Sequence, residues 1–512
     1  MAAAVGALLV PLSTWFFSVN STVTEPYLDE VFHVRQAQQY CQGRFDVWDP
    51  KITTPPGLYL LSYVSSRLES LQQRVGLGHR LLALDCSLTG LRALNAVGLL
   101  LLFIAIRFSY LQRASPAASA HPDEYGYWTR TTGLIALGLA SLAFRQTNIF
   151  WITAFPAGLV LVRELDRGHP AVRGSMHRKT EGFGDSVYSI AKTSWKMGVI
   201  YDPPVRDAWI DVATQPKRLV SLLVTLTPYL ILSAAFAAFI FWNGSVVLGD
   251  KSNHTATLHL PQMLYLWPSI AFFSWPLLYP YILLTPVVLL AWLPLFGALE
   301  AAQIFKRSRL LPRLSLALLA VSTVCAVIWG NTIVHPFTLA DNRHYVFYAF
   351  KRLLRPWWLR YALSPVYILC GWACIQVLGA EPAETQLFAR NPSGLARKLP
   401  VPNGQHSARL SFALVLIATS AMQLITAPLV EPRYFILPWI FWRLHVPLRI
   451  PIWKSPEGNS GWSWRTLWEE YDHRLWVETA WLLAVNAVTG YIFLYWGFGW
   501  PQEPGRVQRF IW

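Results

Sequence analysis

Residues Leu219–Trp242 read LVSLLVTLTPYLILSAAFAAFIFW, and this run contains no charged side chain. It exceeds the roughly 20 apolar residues that an α-helix needs to cross the hydrocarbon core of a bilayer. The whole chain has the same character, since 54% of its 512 residues are hydrophobic and only 14% are charged. Soluble domains carry about 25% charged residues, so the composition excludes an ordinary soluble enzyme as well as a disordered or collagen-like chain. The sequence predicts an all-α polytopic membrane protein.

Ten further apolar segments have lengths near that of a membrane helix, which gives about 11 spans in total. They are residues 3–19, Leu91–Phe108, Thr131–Leu142, Ile149–Val162, Pro280–Ala302, Leu314–Val334, Leu359–Leu378, Leu410–Leu429, Tyr434–Val446 and Ala480–Trp496. No Lys or Arg precedes the first segment and no clear cleavage site follows it, so we expect a retained span rather than a signal peptide. We interpret residues 1–512 as a single membrane-embedded domain.

The basic loops predict the orientation of these spans. Lys and Arg concentrate in cytoplasmic loops, and Arg163–Arg218 contains ten of them. We therefore expect a cytoplasmic loop over 164–217 and a first loop on the far side over 20–57. The net charge of +15 fits this topology, and contacts with anionic lipid or phosphate fit it equally. The basic loop Lys351–Arg360 is the exception, because alternation of the spans puts it on the far side.

Glycosylation sequons agree with that orientation. Asn20-Ser-Thr, Asn243-Gly-Ser and Asn253-His-Thr all fall in segments assigned to the far side. Each sequon is weak evidence alone, because the three-residue pattern is common by chance.

The first far-side loop contains the best candidates for catalysis. It includes Glu25-Pro-Tyr-Leu-Asp29-Glu30-Val-Phe-His33. If a helix begins near Leu28, Asp29 and His33 lie on one face at positions i and i+4. Adjacent carboxylates beside an imidazole suit a general base. Acidic residues in the first turn of any helix give the same pattern, so the residues alone leave both interpretations open.

The other far-side loops contain mostly cations. Ionisable groups at membrane depth are expensive, so these residues are candidates for function. They are Arg145, Lys251, Arg343, His344, Lys351, Arg352 and Arg433. A carboxylate cluster together with cationic loops favours group transfer from an anionic lipid, in which a base deprotonates the acceptor hydroxyl while cations hold the departing phosphate. A proton-coupled transporter is the alternative, although its ionisable groups would be expected near the midplane and within repeats.

Seven stretches, in order along nearly the whole chain, carry a resemblance to a known family. They are EPYLDEVFHVRQAQQYCQG (25–43), WDPKITTPPGLYLL (48–61), FRQTNIFW (144–151), NGSVVLGDKSNH (243–254), HPFTLADNRHYVFYAFKR (335–352), PRYFILP (432–438) and QRFIW (508–512). Together they resemble the endoplasmic-reticulum dolichyl-phosphate-glucose α-1,2-glucosyltransferase family. Members of this family add the last glucose to the lipid-linked oligosaccharide used in N-glycosylation.

The resemblance implies a GT-C type fold in the endoplasmic-reticulum membrane, with the active site facing the lumen. The donor would be dolichyl phosphate glucose and the acceptor a diglucosylated dolichyl-diphosphate oligosaccharide. Transfer inverts the anomeric centre, so one base and a single displacement are enough. Asp29 best matches the position of the base, with Glu30 second, and His33 orients Asp29 or the acceptor. A membrane transporter or flippase of lipid-linked sugars is the alternative function.

Charge and side of the membrane suggest roles for the remaining candidates. We expect Arg343, His344, Lys351, Arg352 and Arg433 to bind the dolichyl phosphate, while Arg145 and Lys251 serve either substrate. We expect no metal, no cofactor and no nucleic-acid partner; membrane lipid is the surrounding medium.

The chain departs from the family pattern before Arg145. Between Phe108 and Arg145 roughly 40 residues are missing relative to the family, enough for about two spans, so an intact member would have about 13. We expect an incomplete gene model rather than a shortened enzyme. Cys41 and Cys86 both lie on the predicted lumenal side, where an oxidising compartment permits a disulfide, and the sequence leaves that pairing open.

Overall fold

The computed structural model describes residues 2–74, 84–113, 124–166, 216–251, 257–290, 314–334, 336–378, 410–427, 429–447, 472–501 and 503–511. Nearly all the secondary structure in these ranges is helical, and the remainder is one two-stranded antiparallel sheet. The prediction of a helical fold is confirmed. The predicted cytoplasmic loop 164–217 lies almost entirely outside the described residues.

The helices are numbered here in chain order. They are α1 (Ala2–Thr22), α2 (Glu30–Cys41), α3 (Gly57–Arg74), α4 (Leu88–Arg113), α5 (Glu124–Phe144), α6 (Phe155–Asp166), α7 (Pro216–Asn243), α8 (Gln262–Leu290), α9 (Leu314–Asn331), α10 (Pro336–Ala340), α11 (Tyr345–Ala349), α12 (Trp357–Ala362), α13 (Ser364–Gln376), α14 (Leu410–Leu424), α15 (Ile436–Leu444) and α16 (His473–Tyr495). Short 3₁₀ helices cover Gln146–Asn148 and Pro432–Phe435, π-helical turns cover Phe150–Ala154 and Phe350–Leu354, and strands β1 (Phe498–Trp500) and β2 (Glu503–Gln508) pair with each other.

Three described helical segments are long and apolar enough to cross a bilayer: Leu88–Ile106, Leu219–Asn243 and His473–Tyr495. Two shorter apolar helices cover Ala317–Asn331 and Ser411–Leu424. Each of the predicted spans overlaps a helix, yet the total of about 11 stays a prediction because only the three segments above, among the described residues, are both long and apolar enough to cross a bilayer.

Helix α8 begins much earlier than the span predicted from Pro280. It starts at Gln262 and bends at Ser274, whose φ of −125° and ψ of 26° are not helical. Pro276 explains the bend, because a proline ring inside a helix clashes with the carbonyl four residues earlier. Because prolines are unfavourable inside a helix, the first half of α8 was not predicted from the sequence.

The chain divides into two compact units. Unit 1 comprises Met1–Thr153, Thr227–Thr255 and Thr489–Arg509, and unit 2 comprises Ala154–Leu226, Ala256–Val488 and Phe510–Trp512. The two units are considered separately below.

The first loop of unit 1 is built around the pair of helices α2 and α3. Ala37, Tyr40, Ile52 and Tyr59 form a buried cluster between them. The rings of Tyr40 and Tyr59 meet edge to face, with centroids 5.6 Å apart, a favourable aromatic geometry. A disulfide joins Cys41 at the end of α2 to Cys86 just before α4, with the Cα atoms 6.5 Å apart. The pairing that the sequence left open is therefore present.

Unit 2 is held together by packing and by a buried ion pair. Helix α8 packs along α13, where Gly371 lets the indole of Trp267 approach the backbone closely. Arg443 of α15 donates to the carboxylate of Glu478 in α16 at 2.7 Å. Ser274, at the bend of α8, donates to the same carboxylate at 3.1 Å. The bend thus supplies a hydrogen bond to a buried charge, which such a charge requires.

Candidate active site

Asp29 lies where helix α2 begins. Its backbone carbonyl accepts hydrogen bonds from the amides of Phe32 at 3.2 Å and His33 at 3.1 Å. The predicted helix start near Leu28 is confirmed, and so is the placement of Asp29 and His33 one turn apart. The Asp29 side chain is exposed and does not cap its own helix. Asp29 is the N-cap and Glu30 lies in the first turn, so the interpretation of acidic residues at an ordinary helix start stays open beside the catalytic one.

The carboxylate of Glu30 is paired with Arg92, which was not among the predicted site residues. Arg92 of α4 donates from Nε to one carboxylate oxygen at 2.9 Å and from Nη2 to the other at 2.6 Å. The amide of Tyr27 donates to Glu30 at 3.1 Å. A carboxylate in a bidentate pair is a weak proton acceptor, so the geometry favours Asp29 over Glu30 as the base.

His33 is fixed by Tyr59 of α3. The ring nitrogen Nδ1 lies 2.5 Å from the phenol oxygen of Tyr59, and the two rings are stacked. Burial raises the pKa of Tyr59 far above its usual value, and a hydrogen bond from Thr54 opposes this shift without reversing it. The phenol therefore keeps its proton and is able to donate it to Nδ1, in which case Nδ1 is the acceptor. A neutral His33 then carries its own proton on Nε2.

Three loops of unit 1 meet at residues 50–53. The side chain of Gln146 donates to the carbonyl of Thr53 at 2.6 Å, and the amide of Leu248 donates to the same oxygen at 3.2 Å. The amide of Asp250 donates to the carbonyl of Pro50 at 2.7 Å. These backbone contacts join the loops that contain Arg145 and Lys251 to the loop that contains Asp29.

Gly249 is required for this docking. Its φ is +61°, and a Cβ there would collide with the carbonyl oxygens of Pro50 and Ile52. Only glycine combines the left-handed backbone with such a close approach. The neighbouring Lys251 is exposed, and its ammonium donates to the carbonyl of Asn243 at the end of α7. Arg145 is half-buried and precedes the 3₁₀ helix Gln146–Asn148.

In unit 2 the loop before α11 pairs its cations with an acid. Arg343 donates to Asp341 from Nε at 2.9 Å and from Nη2 at 2.7 Å, and Nε2 of His344 lies 3.7 Å from the same carboxylate. Burial raises the pKa of Asp341, but the hydrogen bonds and charge of Arg343 outweigh it and hold that pKa below its usual value. Ile511 exchanges backbone hydrogen bonds with Arg343 and Tyr345 at 2.8 and 3.0 Å.

The remaining predicted cations of unit 2 differ in their surroundings. Arg433 is exposed and is paired with Glu431, the residue just before the PRYFILP motif. Lys351 and Arg352 are exposed on the π-helical turn Phe350–Leu354, and the Lys351 ammonium lies 5.4 Å from the centroid of the Phe347 ring. Three predicted phosphate ligands, Arg343, His344 and Arg433, therefore have a nearby acidic partner.

Fold and site together define a helical membrane protein in which the loop that contains the exposed Asp29 side chain also carries, at residues 50–53, the docking points of two further polar loops. The sequence pattern of the DIE2/ALG10 family matches residues 23–136 and 125–444. Since these matches cover most of the chain, the protein belongs to the DIE2/ALG10 family.

Full-length relatives bear one name. An Aspergillus fumigatus protein is 37% identical, with 99% of this chain and 96% of the relative covered. An Emericella nidulans protein is 34% identical, with 99% and 97% covered, and a Mus musculus protein is 31% identical, with 97% and 95% covered. All three are named Dol-P-Glc:Glc(2)Man(9)GlcNAc(2)-PP-Dol alpha-1,2-glucosyltransferase. No solved structure matches this chain.

The mouse alignment also contains positions that this chain lacks. The mouse alignment runs over 538 positions but covers 97% of 512 residues, so about forty positions have no counterpart in this chain. The two family matches overlap at residues 125–136, in α5. This overlap lies between Phe108 and Arg145, where the sequence analysis expects a missing segment.

Proposed function

We propose that this protein transfers glucose from dolichyl phosphate glucose, with inversion, to form an α-1,2 bond on the diglucosylated lipid-linked oligosaccharide. We place it in the endoplasmic-reticulum membrane with its active site facing the lumen, as the last step before the glycan is transferred to protein. The observation that supports this most strongly is the similarity over nearly the full chain to glucosyltransferases of a single name. The predicted site residues lie within the region that the family pattern matches.

The proposed reaction is a single displacement. The acceptor 2-hydroxyl oxygen forms a bond to C1 of glucose while the bond from C1 to the phosphate oxygen breaks, and dolichyl phosphate leaves. Asp29 accepts the hydroxyl proton, and its exposed position at the start of α2 supports this role. Phosphate is a competent leaving group when cations stabilise its charge.

The other candidates have supporting roles in this proposal. His33, held by Tyr59, presents its Nε2 proton as a hydrogen-bond donor that orients Asp29 or the acceptor. Arg343, His344, Lys351, Arg352 and Arg433 bind the dolichyl phosphate, and Lys351, Arg352 and Arg433 are the exposed members of this set. Arg145 and Lys251 contact either substrate from the loops that dock on residues 50–53.

A transfer assay tests the proposal. Membranes that lack the endogenous enzyme receive this protein, dolichyl phosphate glucose and the acceptor that lacks its last glucose, and the released glycan is weighed. We expect a gain of one hexose that a hydrolase specific for terminal α-1,2-linked glucose removes. We also expect Asp29→Asn to abolish the gain while the protein still inserts in the membrane.

An unchanged mass would contradict the transferase unless the missing segment is needed. The assay is therefore repeated with a chain in which about forty residues from the mouse relative are restored before Arg145. If the restored chain moves the lipid across the membrane without changing its mass, the transporter replaces the transferase.

A further inference from the structure

One arginine holds the loop that contains Asp29. Arg92 lies in the first turns of α4, with its side chain only 10% exposed. Besides the two bonds to Glu30, its Nη1 donates to the carbonyl of Val23 at 2.7 Å and to the side chain of Asn20 at 3.3 Å. A planar guanidinium fixes both the position and the orientation of a carboxylate that it binds with two parallel bonds.

The loop from Val23 to Glu30 is tied at several points. Leu28 has a φ of +51°, a left-handed conformation that is strained for leucine. The amide of Tyr27 donates to Glu30, and its hydroxyl donates to the carbonyl of Arg509 at 2.7 Å. Such strain persists only when surrounding contacts enforce it, and the bond from the Tyr27 amide to Glu30 spans Leu28.

Arg509 supports the same loop from the other side. Its Nη1 donates to the carbonyls of Phe493 and Leu494 at the end of α16, at 2.9 and 2.5 Å. A cation at this position is stabilised by the negative end of the helix dipole. The contact of Tyr27 with Arg509 is therefore itself firmly held, and Arg92 fixes Glu30 from another helix, α4.

We propose that Arg92 is a positioning residue for the transfer reaction, which acts through Glu30 to hold the Asp29 carboxylate where the acceptor hydroxyl binds. This inference rests on the proposed role of Asp29 as the base. The Arg92 side chain is 10% exposed and binds Glu30, Val23 and Asn20, so it acts through the loop, and we expect its loss to disturb the transition state more than ground-state binding. A displacement of about 1 Å in a reacting group lowers the rate on the order of 100-fold.

The test measures kcat and KM in the full-length protein reconstituted in lipid. We expect Arg92→Ala to lower kcat on the order of 100-fold, with KM for dolichyl phosphate glucose unchanged. Arg92→Lys restores the positive charge without the two parallel hydrogen bonds, and we expect it to recover part of the lost kcat. Guanidinium added to Arg92→Ala is expected to recover part of the lost kcat as well. Glu30→Gln keeps the side-chain volume but loses the ion pair, so kcat falls roughly tenfold. Arg130→Ala, at an exposed arginine of α5, is the matched control and keeps full activity.

The variants separate failure of this inference from failure of the proposed function. Wild-type kcat in both Arg92→Ala and Glu30→Gln overturns the positioning role, and so does a loss that is confined to KM. If Arg92→Ala does not accumulate, Glu30→Gln alone decides. Full activity of Asp29→Asn refutes the proposed base, whereas an inactive Asp29→Asn beside a normal Arg92→Ala refutes only the role of Arg92.

Discussion

Tyr59→Phe removes one oxygen from the centre of the site and leaves the ring in place. Tyr59 is 1% exposed, and its hydroxyl bonds to His33 and Thr54. The lost hydrogen bond to His33 is worth about 1 kcal/mol, and leaving the two half-buried partners unsatisfied costs about 1 kcal/mol more. If His33 needs this bond to keep its proton on Nε2, kcat/KM falls between about fivefold and 30-fold.

The measurement is the transfer rate at subsaturating donor, with a double-mutant cycle to isolate the contact. Tyr59→Phe in a His33→Gln background is expected to have less than a twofold further effect, because the partner is already gone. Tyr63→Phe is the matched control, since Tyr63 lies one turn later in α3 and packs its ring on Phe45. If Tyr59→Phe changes kcat/KM no more than Tyr63→Phe does, or if the two mutations are additive, the assignment of the His33 tautomer is wrong.

Three further predictions concern loops of unit 1. Gly249→Ala is expected to lower both the transfer rate and the melting temperature. Gly244 also has a positive φ but has open space around it, so Gly244→Ala is the control and is expected to have the smaller effect on both. Equal effects of the two variants would contradict the docking role of Gly249. Cys41→Ser is expected to lower the melting temperature, because the disulfide to Cys86 closes a loop with a sequence separation of 45. The stabilisation by such a disulfide is about 4 kcal/mol on the chain-entropy estimate. An unchanged melting curve would refute this prediction. Asn20→Gln is expected to leave the glycosylated mass unchanged, because the Asn20 amide already donates to a carbonyl within α1; a mass decrease in a gel or spectrum shows the opposite.

The parts of the site that the sequence predicted correctly are local ones. The spacing of Asp29 and His33 implies a shared helix face, and the structure places both residues at the start of α2. Periodicity and spacing act over a few residues, so a single sequence is enough to read them.

The parts that the sequence analysis missed depend on contacts between distant residues. Arg92 was counted inside an apolar span, although an arginine in such a run is itself a signal of function. Tyr59 looked like an ordinary aromatic residue of an apolar stretch, and its bond to His33 joins positions 26 residues apart. The sequence contains no local feature that pairs either residue with its partner, because the pairing arises only when α2, α3 and α4 fold together.

The disulfide between Cys41 and Cys86 also restricts how many times the chain between them crosses the membrane. Its two sulfur atoms share one aqueous compartment, so the intervening chain must cross the bilayer an even number of times or not at all. The only helix described between them is α3, which is not among the three candidate spans. A single crossing between Cys41 and Cys86 is therefore incompatible with the disulfide. This covalent bond between two loops thus requires that the number of membrane crossings between residues 41 and 86 be even or zero.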